Sequence, residues 1–210
     1  MSFLYNVLPA SSDERLQTQH LLLRPYQEDD ATDFMQLLQE SSATLLPAFG
    51  SRLARVHALE DARMQVQQLR SDWDTRRTFD FGVWLKDSKR YIGDVALKNL
   101  DRSVPKAELG MYVTDWPGTR ALAQEALQAV VTFAFEQLGM NRVYLRCTQN
   151  NNFYGELAEV CGFTKEGVLR NDYRGADSDE LLDLCYYGIT RYDFEHQQQQ
   201  QNAVHSDVTA

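Results

Sequence analysis

The chain has 210 residues, of which 43% are hydrophobic and 24% are charged, an ordinary composition for a globular protein with room for one generous domain. Charged residues interrupt every apolar run well short of the roughly 20 residues that a membrane-spanning helix needs. Residues 1–15 lack a basic segment ahead of an apolar one, so we expect no secretory signal. The net charge of −9 disfavours general nucleic-acid binding, which requires a basic surface, and leans mildly towards an amine-bearing partner.

The cysteine content indicates a reducing compartment. Cys147, Cys161 and Cys185 are widely spaced, are odd in number and include no CxxC pair. This arrangement favours buried small hydrophobic side chains over a disulfide framework or a zinc site. We therefore predict a cytoplasmic protein with no bound metal.

The N-terminal third predicts one strand and two helices after an irregular lead-in at residues 1–15. Residues 20–26 (HLLLRPY) form a short apolar run that a proline closes, which predicts a first strand. Residues 28–38 begin with three acidic residues and continue with apolar residues at helical spacing, which predicts a helix. Residues 45–51 contain a proline and a glycine and predict a loop, whereas residues 58–73 predict a second amphipathic helix.

The middle of the chain changes to a period of two. Residues 79–85, 91–100 and 106–113 alternate or run apolar between short turn segments, which predicts three strands in an antiparallel meander. Residues 121–138 then place apolar side chains on one helical face, and Gly139 supplies the stop signal.

The C-terminal third returns to strands around a short helix. Residues 142–148 predict a strand, residues 151–161 a short helix, and residues 163–170 and 181–190 two further strands. A strand, a long helix and a strand in succession imply a right-handed crossover between neighbouring parallel strands.

These elements predict an α/β (α+β) fold with a mixed, mostly antiparallel central sheet of about seven strands and helices on both faces. We expect one domain over residues 16–195. The tail over residues 196–210 is rich in glutamine and cannot bury enough apolar surface, so we expect it to be disordered.

Four segments resemble the GNAT superfamily of N-acetyltransferases, specifically the RimJ/RimL-type protein N-terminal acetyltransferases. Residues 16–34 (LQTQHLLLRPYQEDDATDF), 107–113 (AELGMYV), 124–147 (QEALQAVVTFAFEQLGMNRVYLRC) and 151–170 (NNFYGELAEVCGFTKEGVLR) are similar to family patterns in the same order and spacing. The resemblance implies a GNAT fold and the transfer of an acetyl group from acetyl-CoA to a primary amine. A protein N-terminal α-amine is the expected acceptor.

The resemblance also implies a pyrophosphate loop at the start of the long helix. GNAT proteins use the pattern Q/R-x-x-G-x-G/A, but here Gly118 takes the Q/R position, Ala121 takes the inner glycine and only Ala123 matches. Backbone amides and the dipole of a helix N-terminus bind anionic oxygens, and a hydroxyl and a guanidinium could assist them. The expected cofactor-binding residues are Gly118, Thr119, Arg120, Ala121, Leu122 and Ala123. An ordinary helix start with no ligand is the alternative.

Strand alternation singles out one carboxylate. Glu108 and Tyr112 face one side of their strand, whereas Leu109, Met111 and Val113 face the other. If the first side forms a cleft for the acceptor, Glu108 could bind the amine and remove its proton directly or through water. The alternative is a carboxylate bonded to a neighbouring strand. The resemblance further implies that backbone amides of Met111, Tyr112 and Val113 contact the cofactor.

Three further positions follow from the resemblance. Tyr154 stands where the RimJ/RimL pattern has serine, which implies a hydroxyl that protonates the departing thiolate, although its ring could merely pack on the pantetheine arm. Other GNAT enzymes carry their tyrosine one turn later, where this chain has Ala158. Asn151 could bond pantetheine amides or simply cap its helix. Phe49 lies where the family's acceptor-binding loop begins.

Two other functions remain open at this stage. One is a small-molecule amine acetyltransferase, and the other is a GNAT scaffold that binds an acyl-CoA or a protein partner without turnover. The altered pyrophosphate loop and the missing serine motivate the second. The sequence is compatible with a monomer or a homodimer.

Overall fold

A computed structural model of the chain describes residues 14–41, 54–114, 118–175 and 179–208; beyond residue 200 it describes a side chain only at position 203. Within these ranges the strands are β1 (Leu16–Gln17), β2 (Leu21–Arg24), β3 (Phe79–Leu85), β4 (Tyr91–Asp101), β5 (Lys106–Val113), β6 (Arg142–Thr148), β7 (Thr164–Arg174) and β8 (Leu181–Thr190). The helices are α1 (Ala31–Glu40), which follows a 3₁₀ turn at Glu28–Asp30, α2 (Leu59–Asp74), α3 (Thr119–Thr132), α4 (Asn152–Val160) and α5 (Arg191–Val208).

The described strands form one mixed sheet in the order β1-β2-β3-β4-β5-β6-β8-β7. Neighbouring strands are antiparallel except for β5 and β6, which are parallel and are joined through α3. The predicted meander and the predicted crossover are therefore confirmed. The sheet has eight strands rather than about seven, because the two-residue β1 is too short to show a period in the sequence.

The helices cover both faces of the sheet, and each face has its own hydrophobic core. One core packs β-strand residues such as Leu109 and Met111 against Leu127 of α3 and Leu157 of α4. The other core lies under α1 and α2 and consists mainly of aromatic and aliphatic side chains, including Tyr26, Phe34, Trp84, Tyr91 and Tyr112. The alternation predicted for β5 is thus confirmed, since its neighbouring residues enter opposite cores.

The long helix differs slightly from the prediction at both ends. It begins at Thr119, two residues early, after Gly118 adopts a left-handed conformation with φ +95°. Thr119 secures the turn, because its Oγ1 donates a hydrogen bond to the Thr114 carbonyl at 2.8 Å. At the other end the helix continues as a π-helical turn over Phe133–Gln137, and the expected stop is confirmed at Gly139, where φ is +66°.

The tail contradicts the expectation of disorder. Helix α5 runs over Arg191–Val208 and therefore includes the glutamine run. Phe194 stacks on Phe135 with ring centroids 4.8 Å apart, and Gln197 Nε2 donates to the Gly162 carbonyl at 3.1 Å. Glutamine is also a good helix former, so these two anchors suffice to continue the helix that leaves the sheet.

Two predicted segments lie outside the described residues. Of the lead-in at residues 1–15 only residues 14 and 15 are described, and the loop over 45–51 lies wholly outside. Among the helices of the described ranges, none is both long enough and apolar enough to cross a membrane.

Candidate active site

The site begins where two parallel strands diverge. Pairing between β5 and β6 stops at Leu109 and Leu145. Strand β5 nevertheless continues its pairing with β4 to Val113, and β6 continues its pairing with β8 to Thr148. A gap therefore opens within the sheet, and a cavity of about 180 Å³ lies there.

The cavity passes from one face of the sheet to the other, as its lining shows. On the α3 and α4 side the lining is apolar and includes Leu109, Met111, Leu127, Leu145 and Leu157. On the opposite side the lining includes three charged residues, Lys98, Glu108 and Arg146, and one glycine without a side chain, Gly110. Because successive strand residues point to opposite faces, this division follows from the strands themselves. A long apolar ligand could enter from one side and a polar one from the other.

Glu108 is a buried carboxylate held by several donors. The Arg146 guanidinium donates to both of its oxygens, at 2.9 and 3.1 Å from Nη2, and the Lys98 ammonium lies 3.5 Å from Oε1. Asn99 Nδ2 donates to Oε2 at 2.7 Å. Asn99 reaches this position because the β4–β5 register shifts after Lys98 and Asn99 takes a left-handed φ of +51°.

These contacts decide the charge of Glu108. Burial raises the pKa of its carboxyl, but the Lys98 ammonium, the Asn99 amide and the Arg146 guanidinium together outweigh burial and leave the pKa below its ordinary value. The carboxylate is therefore ionised at neutral pH. Its oxygens are already occupied by donors from adjacent strands, which is the arrangement of the alternative that the sequence left open. A role as general base stays a prediction.

Tyr154 projects from the first turn of α4 towards the end of β5. Its side chain lines the cavity. Burial raises the pKa of Tyr154 well above its ordinary value, the Asp94 carboxylate raises it further, and the nearby Val113 backbone N–H only partly offsets both. The phenol is therefore protonated at neutral pH and is placed beside the strand amide that the cofactor was expected to contact.

Asn151 caps α4 and also lines the cavity. Its Oδ1 accepts a hydrogen bond from the Tyr154 backbone N–H at 3.4 Å. The capping role that the sequence offered as an alternative is therefore observed. The cap uses only Oδ1 and the residue lines the cavity, so the cap does not preclude a ligand contact by the side-chain NH2 group.

Tyr112 is placed differently from the expectation that its side chain would face the cleft. Its phenol is buried in the core under α1 and α2 and shares a hydrogen bond of 2.9 Å with the Tyr91 hydroxyl. The Tyr91 hydroxyl in turn bonds the Tyr26 hydroxyl at 2.7 Å, and Tyr26 donates to Asp94 Oδ2 at 3.0 Å. Only the backbone of Tyr112 remains for the cofactor contact that the resemblance implied.

In the predicted pyrophosphate loop, the backbone forms a helix N-terminus as expected, but the polar side chains bond other parts of the protein. The Thr119 hydroxyl bonds Thr114, and the Arg120 guanidinium donates to Glu156 Oε2 on α4 at 2.7 Å. Ala123 is fully buried in the core, and Leu122 packs against it. Gly118 and Ala121 are exposed at the helix start. The anion-binding capacity of this segment therefore rests on the N-terminal amides of α3.

Several predicted and unpredicted residues complete the picture. Phe49 lies outside the described residues. Cys147 lines the cavity as a free thiol, and burial raises its pKa to about 11, which keeps it protonated. Sequence reasoning missed Lys98, Asn99 and Arg146, because only the strand register places them against Glu108. Across the described ranges, no three His, Cys, Asp or Glu side chains are grouped to hold a metal ion.

A mixed sheet that splits between two parallel strands, next to the start of the helix that joins them, is the arrangement that the resemblance to the acyl-CoA-dependent GNAT transferases implied. Comparison with family models supports this class, since the acetyltransferase (GNAT) domain matches residues 20–164, more than half of the chain. The chain therefore belongs to the GNAT family and is an acetyl-CoA-dependent N-acetyltransferase.

The chain is similar to several named proteins. It is 26% identical over 155 residues to YoaA of Bacillus subtilis, named an uncharacterized N-acetyltransferase, which covers 74% of this chain and 85% of YoaA. The ribosomal-protein-S5-alanine acetyltransferase of Vibrio fischeri has a TM-score of 0.75 at 16% identity, with 85% and 97% of the two chains covered. RimL, a ribosomal L7/L12 α-N-protein acetyltransferase solved with coenzyme A, has a TM-score of 0.76 at 17% identity, with 84% and 98% covered. These two structures show the shared fold.

Proposed function

We propose that the chain transfers an acetyl group from acetyl-CoA to a protein N-terminal α-amine in the cytoplasm. The observation that carries this proposal is the cavity at the divergence of β5 and β6, which is lined by apolar side chains on the α3 and α4 side and by charged side chains on the other. The apolar lining suits the pantetheine arm, and the charged lining suits a polar acceptor.

The residues present fit acetyl-CoA. The apolar side of the cavity lies between α3 and α4. At the end of β5 the Thr114 N–H donates to the Ile92 carbonyl of β4 at 2.8 Å, so the Val113 N–H points away from β4, towards the side from which β6 has diverged. The amides of Gly118–Ala123 open the long helix and suit the pyrophosphate, and the amides of Met111–Val113 suit the acyl end. Acetyl-CoA supplies the acetyl group in activated form as a thioester.

The protein handles the protons of the reaction. The Tyr154 phenol stays protonated because its pKa is raised, so it can supply a proton to the departing sulfur. Glu108 is ionised on the acceptor side and is the candidate to receive the proton of the amine, directly or through water, once the amine or the water replaces one of the donors that hold its oxygens. Positioning and a dry cavity supply much of the remaining rate, and no covalent intermediate is needed.

The choice of an N-terminal acceptor rests on chemistry and on the named neighbours. An α-amine, with a pKa of about 8, loses its proton far more readily than a lysine side chain at about 10.4. Two structural neighbours carry names that specify ribosomal-protein acceptors. A small-molecule amine is the competing acceptor and enters the test below as one of its arms.

The test combines calorimetry with acetyl-CoA and a free-thiol assay against N-terminal peptides, amino acids and polyamines. Gly110→Leu fills the acceptor side of the cavity, where a Cβ would already lie 3.3 Å from Lys98 Nζ. Gly167→Leu is the matched control, since Gly167 is also a strand glycine but has no atom within 4 Å of its Cβ position. We expect thiol release on peptides with the parent and the control but not with Gly110→Leu. Binding without turnover on any amine, or turnover confined to small amines, would contradict the proposal.

A further inference from the structure

The acceptor side of the cavity carries a local charge opposite to that of the whole protein. Among the described lining residues, three side chains are charged: Lys98, Arg146 and Glu108. Two cations against one carboxylate leave one positive charge in excess, whereas the chain as a whole carries −9. A cation retained at a cavity mouth in an acidic protein indicates a ligand with a negative charge.

Arg146 and Lys98 differ in how many hydrogen bonds hold them to Glu108. Arg146 is bound to both oxygens of Glu108 and also donates to the Tyr186 hydroxyl at 3.4 Å, so its planar guanidinium is fixed by the sheet. Lys98 makes a single, longer contact of 3.5 Å to Glu108, and 42% of its side chain is exposed. A lysine ammonium has three donors, and this contact uses one of them.

Lys98 is also placed beside the point of transfer. Its Nζ lies 3.3 Å from the position that a Cβ would take at Gly110, so the ammonium sits over the glycine where β5 leaves β6. An acceptor amine that reaches through this gap would bring its neighbouring atoms against Lys98, while Glu108 lies beside it.

We propose that the acceptor carries a carboxylate within a few bonds of its amine, and that Lys98 binds this carboxylate. The proposal rests on the proposed acetyl transfer and specifies its substrate. One excess positive charge matches one carboxylate. The carboxylate could belong to an acidic N-terminal residue of a peptide or to the α-carboxyl group of a free amino acid.

The experiment compares kcat/KM within two matched acceptor pairs. A peptide that begins with aspartate is compared with its asparagine counterpart, and alanine is compared with alaninamide. A hydrogen bond to a charged group corresponds to roughly tenfold or more. We expect at least one of the two acidic acceptors to be used about tenfold better than its neutral partner. The first pair reports on an acidic peptide and the second on a free amino acid.

Three variants identify the residue responsible. Lys98→Met should bring the ratio of kcat/KM between the preferred acidic acceptor and its neutral partner close to one. Lys98→Arg should retain most of that preference. Lys106→Met is the control, because Lys106 lies on the neighbouring strand and is 38% exposed, like Lys98, but does not line the cavity. Its Nζ pairs instead with Asp101 Oδ2, at a distance of 3.4 Å. Acetyl-CoA calorimetry checks that each variant is folded.

The outcomes separate this inference from the proposed function. Ratios near one for the parent on both pairs, or a ratio that survives Lys98→Met, would overturn the carboxylate site while leaving acetyl transfer intact. No thiol release from the parent with any of the four acceptors would overturn both.

Discussion

The two sides of the cavity are built from the same strands but are held together in different ways. On the α3 and α4 side, apolar residues such as Leu127 and Leu157 pack in a continuous core, and the polar groups are few: the Tyr154 phenol and the Asn151 amide. On the other side, the lining includes an ion-pair cluster around Glu108, with four donating side chains from β4 and β6.

Because the two sides are stabilised by different interactions, substitutions on each side should have different effects. Packing fixes the cofactor side, so a small polar change there should affect rate or affinity with little effect on stability. Charge pairs fix the acceptor side, so a change there should alter both stability and its dependence on pH. Substitutions at four residues, three on the cofactor side and one on the acceptor side, test this contrast.

The largest expected effect is on the rate of Tyr154→Phe. The ring keeps its packing but loses the hydroxyl that is proposed to supply a proton to the sulfur. We expect kcat to fall by about 10²-fold or more, with acetyl-CoA affinity nearly unchanged. Steady-state kinetics and calorimetry measure the two quantities.

Two companion variants make this result decisive. Tyr154→Ala should weaken acetyl-CoA binding as well, by about 1–3 kcal/mol, because it removes the aromatic contact. Tyr154→Ser restores the residue of the RimJ/RimL pattern and should retain more activity than alanine. A phenylalanine variant as fast as the parent would rule out the acid role.

The next effect is on stability, in Glu108→Gln. The variant leaves Arg146 and Lys98 without their common carboxylate, but these side chains are 33% and 42% exposed, so we expect a cost of about 1–2 kcal/mol of unfolding free energy at neutral pH. In the parent, the pKa of the Glu108 carboxyl is lower in the folded state than in the unfolded state. The stabilisation from Glu108 is therefore complete above the unfolded-state pKa and is lost as the pH falls through the folded-state pKa. Denaturant unfolding from pH 7 to pH 3 should therefore show the parent and the variant converging in acid.

The same variant tests the catalytic hypothesis. If Glu108 is the general base, kcat should fall about 10²–10⁴-fold while acetyl-CoA affinity is retained. A variant that is destabilised at neutral pH but turns over like the parent would make the carboxylate purely structural. Equal stability at every pH would contradict the ion-pair account instead.

The fold was largely predictable from the sequence, but the polar side of the site was not. Alternation over 106–113 and the helix after it predict the strand faces and the crossover, because burial enforces both periods. Arg146 is 38 residues from Glu108 in sequence, and although Lys98 is on the adjacent strand of the same hairpin, only the register of the two strand pairs brings both side chains to the carboxylate. Register depends on the whole sheet. The helical tail was missed because its anchors, at Phe194 and Gln197, contact residues distant in sequence.

A smaller effect is expected from Ala121→Glu on acetyl-CoA affinity. Ala121 is exposed in the first turn of α3, where the helix dipole tolerates a carboxylate, so the fold should not suffer. A negative charge beside the pyrophosphate should weaken binding by roughly tenfold, or about 1.4 kcal/mol. Calorimetry measures it, with Gln128→Glu as the control at an exposed position two turns along the same helix. Ala123 is unsuitable for this test, since it is fully buried and a charge there would disrupt the core. Equal affinities would place the pyrophosphate elsewhere.

The smallest expected effect separates the two roles of Asn151. Its Oδ1 caps α4 by accepting the Tyr154 N–H, so Asn151→Ala should cost about 1 kcal/mol of unfolding free energy. Asn151→Asp keeps an equally good cap and a negative charge at a helix N-terminus, so its stability should match that of the parent. Aspartate nevertheless lacks the amide donor that faces the cavity. If that donor binds the pantetheine arm, Asn151→Asp should weaken acetyl-CoA binding by about 1 kcal/mol while thermal unfolding is unchanged. If the residue is only a cap, the aspartate variant should bind like the parent, and the alanine variant should lose stability alone. Because Asn151→Asp removes the donor and keeps the cap, whereas Asn151→Ala removes both, affinity and stability together assign the residue to one role or to both.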